Sequence, residues 1–340
     1  MRVTPYIILI SIFFCSCNTT SSGSGDQDPQ AMFEEVWTNF DQLYPYFELK
    51  GVDWDSVLTV NINEISESNT EGRLLEIMSD ITLSLRDVHV NVRTPSGQFI
   101  QFQKRDLFAP NLPNNAFSYL TDVSLNNSST HVGRIDNTNI TYIRIISFGG
   151  DVNDFVPLYD MMPQLSNSSA WIIDVRENPG GNDALGRAIA ERLTDMERTY
   201  ENVRFRDGDD HNDFEDWTAL TISPNESINF NKPIVVLTNR GTYSSAESFV
   251  LMMDALPNTT LVGDTTGGAS ANPRQFTLAN GWTYTVSTWQ AATPDFMLIE
   301  DHGIAPDEVV NNTESTFNNG RDLMLERAIE LLTQQANPDF

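Results

Sequence analysis

The sequence predicts an α/β protein with a largely parallel sheet, preceded by a small helical part. Two patterns carry this reading. From Asn139 onward, short apolar runs suited to buried strands alternate with stretches of helical spacing. Before that, over residues 31–86, apolar residues recur at i, i+3 and i+4, as on one face of a helix. A third feature places a candidate site. Gly180-Gly181 follows the strand pattern at residues 170–176, and open α/β sheets bind ligands at the carboxyl ends of their strands.

The helical part comes first. Phe33, Val36, Trp37, Phe40, Leu43 and Tyr44 form one apolar face, and Pro45 ends that helix. Trp54 opens a second helical stretch, and Leu74, Leu75, Ile77, Met78, Ile81 and Leu85 mark a third. Val88, Val90 and Val92 then alternate with Asp87, His89 and Asn91, which predicts a strand with His89 on the face opposite the valines. Residues 94–132 are polar and irregular, too short and weakly patterned for an inserted domain.

In the α/β part the expected strands are residues 140–146, 170–176 and 234–237, and the expected helices 155–165 and 183–193. The acidic stretch 207–216 lacks the glycine and the terminal glutamate of a calcium-binding loop and reads as a solvated loop. Asn280-Gly281 predicts a hairpin turn, and residues 322–332 a closing amphipathic helix. The glycine pair lacks the spacing of a nucleotide-binding loop, so no nucleotide cofactor is expected. No metal is expected either.

Composition narrows the partners. The 340 residues include 47 acidic and 20 basic ones, a net charge of -27. Such a surface repels nucleic acid and anionic membrane, so neither is expected as a direct partner. Arg2, an apolar run over residues 6–14 and Cys15-Ser16-Cys17 read as a signal peptide over residues 1–17, with Cys17 as the lipidation site of a bacterial lipoprotein. Cleavage by an ordinary signal peptidase is the alternative. Both cysteines lie in this leader, so the body has no disulfide framework. A Ser/Gly-rich tether over residues 18–30 follows. The protein is expected to be exported, periplasmic or at the cell surface, touching the membrane only through its lipid anchor.

The stretch from Pro233 to Phe249 combines a buried strand, a turn through Gly241 and a helix bearing Phe249, Met252, Met253 and Leu256. Ser244 and Ser245 stand where that helix begins. A serine there faces unpaired N–H groups and the positive end of the helix dipole, which suit an oxyanion. Ser244 with Glu247 is equally a capping box, and the stretch alone leaves both roles open.

Three segments together resemble the C-terminal processing peptidase and tricorn core protease family. They are Asp174-Val175-Arg176-Glu177-Asn178-Pro179-Gly180-Gly181, Thr242-Tyr243-Ser244-Ser245-Ala246-Glu247, and Gly303-Ile304-Ala305-Pro306-Asp307 with Gly320-Arg321-Asp322. Tyr44-Pro45-Tyr46-Phe47 and Leu85-Arg86-Asp87-Val88-His89 are similar to the family's N-terminal part. The resemblance implies a ClpP/crotonase-like core over residues 87–340 beside a helical domain over 31–86, and a serine peptidase acting on polypeptides. It selects Ser244 over Ser245 as nucleophile and implies Gly181 and Ser245 as backbone oxyanion donors. One branch of the family uses a lysine base, but Ala269 occupies that place and none of Lys50, Lys104 and Lys232 is near this loop, so a Ser–Lys dyad is not expected. The tricorn-like branch implies His89 as base and Glu300 as its acid. Residues 94–139 are too short for the PDZ module many members carry. A non-catalytic peptide-binding lipoprotein and a serine esterase are the rival readings; the esterase elbow Gly-x-Ser-x-Gly is not present here.

Overall fold

Four helices open the described chain: α1 Pro29–Leu43, α2 Phe47–Lys50, α3 Trp54–Glu67 and α4 Glu71–Leu85. The computed structural model describes residues 27–104, 109–226, 228 and 230–336, so the leader, Cys17 and most of the expected tether lie outside the described residues. Among the described residues no helix is long and apolar enough to cross a membrane. Asp28 caps α1 by accepting the Ala31 N–H, with Pro29 at the first helical position, so the helix starts inside the segment expected as tether. Tyr44 is extended because Pro45 follows it.

The helices bury Phe33, Val36, Phe40, Leu74, Ile77, Ile81 and Leu85 in a core that continues into Val90, Val92, Trp282, Tyr284 and Val286. The helical region expected over residues 31–86 therefore does not close a core of its own. Its lower half is a sheet built from strands β1 Asn91–Arg93 and β2 Phe99–Gln101 together with a distant hairpin.

Strands β3 Leu120–Asn126 and β4 Thr130–Ile135 occupy the stretch expected to be irregular. Most of β3 is solvent-exposed, so it carries no alternation to read. Both join the main sheet, and the described residues of 94–139 form no separate module. Then follow β5 Ile140–Ile145, α5 Val152–Leu165, β6 Ala170–Asp174, α6 Asp183–Leu193, β7 Arg198–Phe205 and β8 Thr218–Ile222. The second half holds β9 Ile234–Thr238, α7 Ser245–Asp254, β10 Thr259–Gly263, the hairpin β11 Arg274–Thr277 and β12 Thr283–Val286, and β13 Trp289–Ala292. Strand β14 Glu308–Val309 and helices α8 Glu314–Asn318 and α9 Leu323–Ala336 complete it.

Seven strands form the central sheet in the order β14-β10-β9-β6-β5-β4-β3. The strands from β14 to β5 run parallel, and β4 and β3 add antiparallel pairs at one edge. On one face, α5, α6 and α7 and the three-stranded sheet β13-β7-β8 bury Phe148, Phe155, Trp171 and Phe249. On the other, α9 covers Ile172, Val235 and Leu237 with Met324, Leu325 and Ala328. This mixed core is the ClpP/crotonase-like architecture. The buried Arg176 guanidinium joins Asp174 (2.5 Å) to Asp322 (2.9 Å), fixing the start of α9 to the end of β6. Two of the sequence motifs thus serve the scaffold.

Glu201 of β7 is fully buried, with the Ser248 hydroxyl as its polar neighbour. Burial pushes its carboxyl up to about 8, with Asp183 and Glu247 adding to the shift. From the ordinary carboxyl value to about 8, the folded chain holds a proton that the unfolded chain has released. Stability therefore falls as pH rises through that window. Glu201→Gln is expected to stabilise the protein by on the order of 3 kcal/mol at pH 8.5 and by almost nothing at pH 4.5. Thermal unfolding at the two pH values checks this, and equal gains at both would contradict it.

Candidate active site

Ser244, the N-cap residue just before α7, has φ 53 and ψ −129, a conformation that costs a non-glycine residue on the order of 1–3 kcal/mol. The strain is held by neighbours on all sides. Thr242 Oγ1 donates to Val175 O (2.9 Å), and the Tyr243 N–H to Asn178 O (3.0 Å). Asn239 Oδ1 accepts the N–H groups of Glu177 and Gly241, both at 3.0 Å. The nucleophile turn and the glycine loop are thereby stitched into one unit. Ser244 itself stays partly exposed, while the Ser245 hydroxyl is spent on Gly181 O (2.6 Å). That difference favours Ser244 as the reactive one of the pair.

Gly180 and Gly181 sit against this turn. A Cβ on Gly180 would fall 2.8 Å from Ser244 Cβ and 2.9 Å from Ser245 N, and one on Gly181 would fall 2.1 Å from Phe148 C. Their φ values, 87 and 139, are also ones that glycine alone adopts without strain. Gly181 forms a parallel bridge with Phe148, in which Phe148 N–H goes to Gly180 O (2.9 Å) and Asn182 N–H to Phe148 O (2.8 Å). The Gly181 N–H therefore points away from Phe148. The Ser245 N–H, in the first turn of α7, is a donor next to Ser244, and Gly181 is tied to the same turn through its carbonyl, which accepts Ser245 Oγ.

Glu247, fully buried, clasps the loop that follows α7's strand partner. Its carboxylate accepts Thr266 Oγ1 (2.5 Å) and the N–H groups of Gly268 and Ala269, both at 2.8 Å, and reaches the Ser244 N–H at 3.3 Å. Burial pushes this carboxyl up against those hydrogen bonds. The loop then presents a row of carbonyls. Gly267 O accepts Lys104 Nζ (2.5 Å), Gly268 O the Asp301 N–H (2.9 Å) and Ala269 O the Ser244 N–H (2.9 Å). Ser270 O accepts Tyr46 OH (3.0 Å) and Ala271 O the Thr288 N–H (2.9 Å). Lys104, remote from this loop in the sequence, is thus brought onto it by the fold, bonded to a backbone carbonyl.

His89 lies in a turn and not in a strand; β1 starts at Asn91. The turn forms because the Asp87 carboxylate accepts the His89 N–H two residues on (2.8 Å), a local bond that competes with strand pairing. Asp87 also accepts Ser287 Oγ (2.6 Å), next to Thr288, whose N–H binds Ala271. The histidine turn and Ser244 are thereby attached to the same loop, two residues apart. His89 Nδ1 stands 3.7 Å from Asp87 Oδ1. Burial alone would push the Asp87 carboxyl up, yet His89, Ser287 and Lys50 together hold it below its ordinary value.

The expected acid, Glu300, is placed differently. It is buried and paired with Lys50, whose Nζ lies 2.6 Å from Oε1, so the carboxylate set against His89 is Asp87. Lys50 wins Glu300 because both are desolvated, and a buried carboxylate needs a cation. Neither Asp87 nor Lys50 carried a distinguishing sequence signal. Asp87 lay two residues from a candidate histidine, and that spacing is what an Asx turn produces.

Gly180→Ala tests the packing of the glycine loop on the serine. The protein is expected to fold while Ser244 loses at least about 100-fold of its reactivity toward a fluorophosphonate, since a shift near 1 Å can cost that much. Circular dichroism and labelling rates check it, and an unchanged rate would contradict the geometry.

Comparison with known proteins identifies the family. Residues 139–310 match the model of peptidase family S41, and residues 26–82 that of the tricorn protease C1 domain. A carboxyl-terminal-processing protease of a Synechocystis species is 32% identical over 200 residues, covering 57% of this chain and 44% of its own length. The chain thus spans less than half of that relative. The crystal structure of a presumed peptidase from Parabacteroides merdae superposes with a TM-score of 0.79 at 29% identity, over 90% of this chain and 97% of the other. Mature CPAF bound to lactacystin has the same fold, with a TM-score of 0.67 at 13% identity over 92% and 99% of the two chains. With half its length matched, including the parallel strands of the sheet, the glycine loop and the Ser244 turn, the chain belongs to peptidase family S41.

Proposed function

We propose that the protein is a serine endopeptidase that cleaves exported polypeptides with Ser244 as nucleophile and His89 as base. The observation that supports this most is the strained Ser244 with the Gly180-Gly181 loop packed against it, and the N–H groups of Gly181 and Ser245 are the proposed oxyanion donors. In the proposed reaction, Ser244 Oγ attacks the scissile carbonyl carbon and its proton passes to His89 Nε2. The carbonyl oxygen takes the negative charge between the two N–H groups, each worth on the order of 10²–10³ in rate. His89 then returns the proton to the leaving amine, and water hydrolyses the acyl-enzyme by the same steps in reverse. Asp87, at His89 Nδ1, stabilises the imidazolium that forms. Glu300 stands behind it, paired with Lys50. The mechanism requires no cofactor.

The substrates proposed are unfolded or flexible segments of extracytoplasmic proteins. The leader pattern and Cys17 support export and a lipid anchor. The missing separate module among described residues 94–139 removes the sequence basis for capture of a C-terminal tail by a PDZ domain.

Cleavage of casein by the soluble chain from residue 25 onward tests the function. Wild type is expected to cut it, Ser244→Ala to lose activity completely, and His89→Ala to fall by at least about 10³-fold. Turnover of short nitrophenyl esters with casein left intact would favour an esterase. No cleavage and no fluorophosphonate labelling by folded wild type would favour a binding protein.

A further inference from the structure

The groups around His89 form an unusual charge set for an interior. Asp87 and Glu300 are both buried carboxylates, and Asp301 lies beside them with about a third of its side chain exposed. The one buried ammonium among these groups is Lys50, from the last residue of α2. Its Nζ donates to Glu300 Oε1 (2.6 Å), Asp301 Oδ1 (2.9 Å) and Arg86 O (3.4 Å), which uses all three of its protons. Arg86 donates back to Lys50 O (2.9 Å) and directly precedes Asp87. Tyr44 and Tyr46, from the segment joining α1 and α2, face the same carboxylates, and His302 Nδ1 contacts Glu300 O (2.9 Å).

We infer that Lys50 is a positioning residue for the catalytic base: it cancels the charge of Glu300, so that Asp87 alone is the uncompensated anion that His89 meets. The inference rests on the proposed role of His89. Electroneutrality gives the reason. With Asp301 partly in solvent, the two buried carboxylates Asp87 and Glu300 against one lysine leave a single buried negative charge, which the imidazolium neutralises when it takes the Ser244 proton. Were both carboxylates uncompensated, the second negative charge would favour the imidazolium over the neutral imidazole that a base requires. Burial and Asp87 push the Glu300 carboxyl well up, and Lys50 is the group that opposes them. The inference stands on the geometry of the ammonium: a fully buried side chain reaching two acids and the residue next to Asp87.

The helical region is thus more than a cover. Through Lys50, Tyr44 and Tyr46 it supplies part of the electrostatic setting of His89.

The test is the pH dependence of fluorophosphonate labelling in wild type, Lys50→Met, Lys50→Arg, Glu300→Gln and the double variant Lys50→Met/Glu300→Gln. Lys50→Met leaves an extra negative charge, and the acid limb of the profile is expected to move up by about one pH unit. Glu300→Gln leaves an extra positive charge, and the limb is expected to move down. The double variant and Lys50→Arg should lie at the wild-type position. A role in folding alone would lower the yield or stability of the variants without this ordering. If Lys50→Met does not fold, the contrast between Glu300→Gln and the double variant still decides. Coincident limbs in those two would overturn the inference. Failure of wild type to label at any pH would instead overturn the peptidase reading itself.

Discussion

Five successive carbonyls, from Gly267 to Ala271, each accept a hydrogen bond from a different part of the chain. This short segment is the constraint on which the site depends. Lys104, Asp301, Ser244, Tyr46 and Thr288 all end on it, and the Glu247 carboxylate holds it from beneath. Side chains and backbones from the helical region, the hairpin, the Glu300 loop and the nucleophile turn are thereby brought to one place. Each bond contributes only about 1 kcal/mol, but a buried donor left unpaired costs more. The segment is consequently hard to move one contact at a time.

That rigidity accounts for the backbone of Ser244. A φ of 53 at a serine persists only where surrounding contacts over-determine it. Here Ala269 O binds the serine's own N–H, Gly180 packs on its Cβ, and Glu247 ties the two loops together. Charge is handled in the same way. Arg176 is enclosed by Asp174 and Asp322, and Glu300 by Lys50, so the buried ions are largely paired. Asp87 stands instead at His89, and Glu247 is held by hydrogen bonds in place of a cation.

Much of the fold was legible in the sequence where burial is one-sided or complete. The strands at 140–145, 170–174 and 234–238 and the helix at 183–193 announce themselves by apolar runs and spacing. The positions of Ser244 at a helix start and of Gly180-Gly181 at a strand end were legible from the strand, turn and helix pattern, whereas the choice of Ser244 over Ser245 rested on the family resemblance. Strand β3 was not, since its exposed residues carry no period. The turn at His89 was misread as strand, because the alternation of Val88, Val90 and Val92 outweighed the local bond from Asp87. Lys50 and Glu300, 250 residues apart, meet only through tertiary packing. No spacing rule could pair them, and the same holds for Lys104 at Gly267.

The central claim is that strain and packing single out Ser244 from its neighbour. Mapping a fluorophosphonate adduct by peptide mass spectrometry tests it most directly. The account predicts the adduct on Ser244, with Ser245 unmodified because its hydroxyl is bound to Gly181 O. An adduct on Ser245, or on a serine outside this turn, would contradict it.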